Sequence, residues 1–105
     1  VILVYIPCPS AEAADALAAQ LLAEGLIACA NRLAPVQAHF MWDGAVQAAE
    51  EHPVLLKVPP GLAEAACARA EALHPYDVPA ILRWEVAANA GFARWAEACT
   101  APNER

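Results

Sequence analysis

Positive charge is what this 105-residue chain has least of: six Lys and Arg stand against twelve Asp and Glu, a formal net charge of -6. The basic residues are scattered, and no basic face with interleaved aromatics can be drawn from them, which argues against nucleic acid as a partner. Long apolar runs are missing too. None approaches the ~18 residues that a membrane helix needs, and no basic-then-apolar leader opens the chain, so no membrane partner is expected. Nor is there a CxxC pair: Cys8, Cys29, Cys67 and Cys99 lie far apart, one in each apparent segment. A domain of this size with a good core needs no staples. The four cysteines therefore read as reduced, mostly buried thiols of a cytoplasmic protein rather than as two disulfides.

What is present fits a single domain over residues 1–105. The hydrophobic fraction is 60%, but alanine supplies much of it, so the core falls on Leu, Ile, Val, Phe and Trp positions. The chain opens on "VILVYI" rather than Met, and a few residues are expected ahead of it. Val1–Ile6 reads as a central strand covered on both faces, ended by "PCPS". Ser10 can cap a helix in which Ala14, Leu17, Ala18, Leu21 and Leu22 form one apolar stripe, and Gly25 can close it in a left-handed cap.

"LIACANRLAP" leads into a second strand, in which Val36, Ala38, Phe40 and Trp42 share one face while Gln37, His39 and Met41 share the other. Asp43-Gly44 is a strong hairpin signal, because both positions tolerate positive φ. The returning strand should run from Ala45 to Val58, with Glu50, Glu51 and Pro53 marking an edge or bulge. A second helix from about Leu62 must stop by His74, ahead of Pro75. Ala80–Val86 reads as a fourth strand, and Asn89 can cap a last helix with Phe92, Trp95, Ala96 and Cys99 in a stripe. Two split βαβ halves of this kind give an α+β ferredoxin-like sandwich, βαββαβ, with an antiparallel sheet and an added C-terminal helix. The long hairpin joined at Asp43-Gly44 would project with open edges and Phe40, Met41 and Trp42 at its tip. Pairing with further copies of the chain is the economical cover.

Five motifs in order resemble the CutA divalent-cation tolerance family over essentially the whole chain: "LIACAN" (Leu26–Asn31), "MWDG" (Met41–Gly44), "LLK" (Leu55–Lys57), "HPYDVP" (His74–Pro79) and "FARW" (Phe92–Trp95). The resemblance implies a stable homotrimer, similar to the PII signalling proteins, in which the long hairpins pair between subunits. Phe40, Met41, Trp42 and Trp95 are then candidate interface residues. It also implies a role in tolerance of divalent metals such as copper, with no enzymatic activity. A divalent cation such as Cu2+ is an expected ligand, though not one required for folding. The chain departs from the family pattern where Val58-Pro59-Pro60 follow Lys57, and where Ile6 takes the strand-one position that some members give to a metal-binding cysteine, Cys8 coming two residues later.

Three readings of the site residues follow. Copper needs two or more converging imidazole or thiolate ligands, and His74 with Cys29 or Cys8 can supply them. Against this, a histidine at a helix C-terminus is also what the helix dipole attracts. Glu50, Glu51, Lys57, Tyr76 and Asp77 can line an inter-subunit cleft for a small ligand, as in PII-like proteins, although a Glu50-Glu51 pair is commonly a solvated bulge. Cys29 and His74 can be read as nucleophile and base, but no orienting group or oxyanion donor accompanies them. His39 and His52 lack ligand spacing and read as solvated.

Overall fold

The structure, a computed structural model, describes residues 1–100. Along them run β1 (Ile2–Cys8), α1 (Ala11–Ala23), β2 (Cys29–Arg32), β3 (Val36–Trp42), β4 (Ala45–Val58), a 3-10 turn (Pro60–Leu62), α2 (Ala63–Leu73), β5 (Leu82–Glu85) and α3 (Ala90–Cys99). The strands pair in the order β2-β4-β1-β5, every ladder antiparallel, and β3 joins the first half of β4. This is the expected ferredoxin-like α+β sandwich, with α3 added at its end.

Strand alternation decides the layers. Val4, Ile6 and Cys8 of β1 and Val54, Leu56 and Val58 of β4 point to one face, where they meet Ala14, Leu17 and Leu21 of α1 and Ala66 and Ala70 of α2. The opposite face carries Tyr5, Leu55, Leu82 and Trp84 and lies open, with Leu82 and Trp84 exposed. The expectation that β1 is covered on both faces is thus met on one face only within a single chain.

The first helix begins and ends for the reasons its sequence gives. The Ser10 hydroxyl accepts the Ala13 N–H at 3.1 Å. At the far end Gly25 takes φ 70°, and the Gly25 and Leu26 amides donate to the Leu22 and Leu21 carbonyls in a Schellman closure. Arg69 of α2 then forks onto the Glu24 carboxylate at 2.9 to 3.1 Å, tying the two helices and holding that carboxyl below its ordinary range.

Three details of the strands differ from expectation. The second strand is two strands, β2 and β3, interrupted over residues 33–35 where Pro35 stands. The fourth expected strand is trimmed to Leu82–Glu85. No bulge forms at Pro53, which sits buried inside a continuous β4, with Glu51 in ladder register opposite Val36. The reason is geometric. The Leu33 amide donates to the Pro53 carbonyl at 2.9 Å, so the main-chain polar side of Pro53 faces the interruption in its neighbour. The missing N–H falls where no strand asks for it.

At the hairpin tip Asp43 (φ 51°) and Gly44 (φ 76°) both take positive φ, as a type I′ turn requires. Beyond Glu51 toward this tip, β4 pairs with β3 alone, so residues 36–51 form a two-stranded ribbon.

The stripe on α1 makes a stability prediction. Leu21 is fully buried, whereas Leu22 is 45% exposed. Leu21→Ala should cost about 2–5 kcal/mol in chemical denaturation, and Leu22→Ala, losing little buried surface, clearly less. Equal losses would mean that the helix is turned differently.

Candidate functional site

The "HPYDVP" corner organises the site. Pro75 forces His74 out of the helical region (ψ 138°), and α2 ends there with the His74 amide on the Ala70 carbonyl at 3.0 Å. The buried imidazole then uses both nitrogens. Nδ1 accepts the Tyr76 N–H at 3.1 Å, which leaves the proton on Nε2 to donate to the Pro7 carbonyl at 2.8 Å. The Tyr76 ring lies against the imidazole with centroids 4.8 Å apart, and its hydroxyl donates to Glu51 Oε2 at 2.9 Å. One chain of contacts thus runs from the end of β1 through the corner to the root of the ribbon.

Burial and the Glu51 charge set the protonation of this cluster. Burial, with the Glu51 carboxylate as a lesser cause, pushes the Cys8 thiol up to about 11. Burial first, then the hydrogen bond to Glu51 and its charge, pushes the Tyr76 phenol up to about 12. Both stay neutral at physiological pH.

A groove of about 790 Å³ opens between the ribbon and the corner, with Phe40, Trp42 and Glu51 on one wall and Tyr76, Asp77 and Val78 on the other. Of the five residues expected in a cleft, the fold brings Glu51, Tyr76 and Asp77 together here. Glu50 does not join them, because successive strand residues face opposite ways; it meets His52 Nε2 at 3.3 Å instead. Lys57 lies six positions along β4 from Glu51, about 20 Å away, hydrogen-bonded to Asn31.

The metal candidates are spread. Cys29 pairs with Lys57 and Cys8 with His52, which sets them about 16 Å apart along β4. Cys8 and His74 share the Pro7 end, but Cys8 is buried and both His74 nitrogens are engaged. Among the described residues no group of three or more His, Cys, Asp or Glu side chains is placed to hold a metal ion within one chain. Cys29 likewise stands apart from His74, without the base that a thiol nucleophile needs. Of the expected interface residues, Phe40, Met41, Trp42 and Trp95 are all well exposed.

Sequence reasoning missed Phe40 and Trp42 as walls of the groove. The signal was present: both occupy the ribbon face that carries Gln47 and Glu51. It also placed His52 in solvent, whereas its Nδ1 is buried without a hydrogen-bond partner.

Comparison with known proteins bears on this arrangement. The family profile described as "CutA1 divalent ion tolerance protein" matches residues 2–99. The divalent-cation tolerance protein CutA of Pyrococcus horikoshii is 40% identical over 95 residues, covering 90% of this chain and 92% of that protein. The crystal structure of divalent ion tolerance protein CutA1 from Ehrlichia chaffeensis superposes with a TM-score of 0.90 at 34% identity, covering 95% of this chain and 94% of that one. A structure described as the periplasmic divalent cation tolerance protein CutA of Archaeoglobus fulgidus matches with a TM-score of 0.89 at 28% identity, covering 94% and 97%.

The raised Cys8 and Tyr76 values make an alkaline prediction. In the folded chain both groups hold their protons more tightly than when unfolded. Stability should therefore fall as pH rises from about 9 to 11 through Cys8, and from about 10 to 12 through Tyr76. Thermal unfolding measured across this range should show the decline, and Cys8→Ala with Tyr76→Phe should flatten it. An unchanged slope in the double variant would refute this account of the cluster.

Proposed function

The chain belongs to the CutA1 divalent ion tolerance family, and from that premise we propose that it acts as a homotrimer in tolerance of divalent cations, copper among them. The observation that carries the assembly is the ribbon. It extends a chain whose Cα radius of gyration is 14.5 Å and whose extents are 47 × 25 × 21 Å; a compact chain of this length has a radius of about 13 Å. Its sides carry Met41 at 64% and Val46 at 76% exposure, and among the described residues neither ribbon edge has a further strand partner. Exposed apolar ribbons with open ladders are covered in stable proteins, and the partner present at the highest local concentration is another copy. Phe40, Met41, Trp42 and Trp95 are proposed for that interface.

Cations are proposed to meet the assembly at boundaries between copies rather than inside one chain. Among the described residues a single chain brings no three ligands together, and the His74 nitrogens are already used. Cys29, partly exposed on the open sheet face, is the thiol a second copy can complete. His74 and Cys8 would join only by giving up their present contacts. The role is non-enzymatic, and the unpaired Cys8, Cys29 and Cys67 thiols favour a reducing, cytoplasmic setting. The groove supports a second reading, a PII-like trimer that binds a small molecule where Glu51, Tyr76 and Asp77 converge.

Light scattering should give a mass of about 33 kDa, three copies of the 11.1 kDa chain, and the paired changes Met41→Glu and Val46→Glu should lower it toward one copy. A monomeric wild-type mass would end the assembly proposal. In copper titration of the intact assembly, Cys29→Ser should weaken binding about tenfold or more, while His74→Ala should lower the melting temperature and leave affinity nearly unchanged. Unaltered affinity in Cys29→Ser would remove it from the site.

A further inference from the structure

We infer that Cys8 Sγ and His52 Nδ1 together form a buried two-coordinate site for a soft monovalent cation, copper(I) or silver(I), inside a single chain. The site is separate from the boundary site for divalent ions and does not rest on it. Its starting point is the His52 ring. Nε2 faces Glu50 Oε1 at 3.3 Å, which draws the imidazole proton to that side. Nδ1 keeps its lone pair, buried and without a hydrogen-bond partner. A buried polar atom of this kind is costly unless something answers it. A carboxylate on one imidazole nitrogen with an open lone pair on the other is the way metal-bound histidines are held.

The ladder supplies the second donor. Cys8 stands directly opposite His52, so both side chains leave the sheet on the side of Val54 and the core. Facing Cβ atoms lie about 4.5–5.5 Å apart, and a nitrogen–metal–sulfur line built from bonds of about 2.0 and 2.3 Å fits that gap. Cys8 is fully buried, and its sulfur holds only a long contact of 3.7 Å to the Ile6 carbonyl. One nitrogen and one sulfur in apolar surroundings suit a soft ion of low charge. Zinc asks for three or four ligands, and no such group of three stands among the described residues. Binding breaks the Sγ–H bond, forms an Sγ–metal bond and releases the proton to solvent, so the net charge of the site is unchanged and no electron moves. The Glu51 carboxylate, which helps to hold that proton, favours the cation that replaces it for the same Coulombic reason. The remaining titratable groups of the cluster are Tyr76, which keeps its proton, and His74, which is bonded to the Pro7 carbonyl. Neither opposes the ion. With Cys8 fully buried and the His52 side chain 17% exposed, the site does not depend on which surface another copy covers.

The test uses the assembled protein with Cys29, Cys67 and Cys99 replaced by serine, which leaves Cys8 as the sole thiol, and silver(I) nitrate as the probe. Native mass spectrometry should show one silver ion per chain. The nitrogen NMR signal of His52 Nδ1 should shift on loading while Nε2 stays protonated. His52→Gln should weaken silver binding about tenfold or more, and Cys8→Ala should abolish uptake. Copper(I) delivered from a competing chelator should follow the same order. Equal affinity in His52→Gln would reduce the site to a lone thiol and overturn the proposal. No uptake by the parent protein, or a shift at Nε2 alone, would overturn it as well. Should the glutamine variant fail to fold, as thermal unfolding without silver would reveal, the Nδ1 signal of the parent decides. Because Cys29 is absent throughout, failure here leaves the boundary site untouched.

Discussion

Everything distinctive in this molecule depends on one mismatch of length. β4 is 14 residues long and the strand beside it at the centre of the sheet, β1, is 7. A strand twice as long as its neighbour must leave half of itself without a second ladder. The inner half of β4 lies between β1 and β2 and supplies the core positions Val54, Leu56 and Val58. The outer half has β3 and nothing else, and so becomes the ribbon. Glu51 sits at the junction, the last ribbon residue opposite β3 and the first to meet the corner after α2.

That junction explains why the groove lies where it does. The corner must turn because Pro75 cannot continue α2, and His74 holds it down by satisfying the Pro7 carbonyl. The Tyr76 hydroxyl then reaches the root of the ribbon. Helix end, strand end and ribbon root are fixed to one another by three directed hydrogen bonds, each between groups distant in sequence or locked by a proline. The apolar ribbon face above them becomes a wall because Phe40 and Trp42 alternate onto the same side as Glu51. Assembly and ligand binding, as proposed, would draw on the same ribbon, since Phe40 and Trp42 belong both to the proposed interface and to the groove wall.

Local signals in the sequence carried most of the fold. Ser10, Gly25, Asp43-Gly44 and Pro75 each act on their own turn of chain, and each does in the structure what its chemistry requires. What local signals could not give concerns pairs of positions that meet only through tertiary contacts. Pro53 reads as a ladder breaker until its neighbour is seen to be interrupted beside it. The contact of His74 with the Pro7 carbonyl, 67 residues away in the chain, has no local signal at all. In the candidate site, Glu51, Tyr76 and Asp77 were legible from motif and charge. Glu50 and Lys57 were grouped with them by chemistry, and strand alternation and strand length separate them.

The facing prolines of β1 and β4 have a consequence for folding. Pro7 stands opposite Pro53, and the main-chain polar groups of both point away from their shared ladder. In this alignment neither lost N–H costs a bond between the two strands. Slide β1 by a single residue, with β4 held by its own core side chains, and Pro7 turns its polar edge into the shared ladder where β4 expects a donor, leaving a β4 carbonyl unanswered at about 1–3 kcal/mol if buried. The same slip would turn Val4, Ile6 and Cys8 out of the core. The two prolines thus act as a keyed joint between the central strands: they add little to the correct pairing and penalise its nearest competitors.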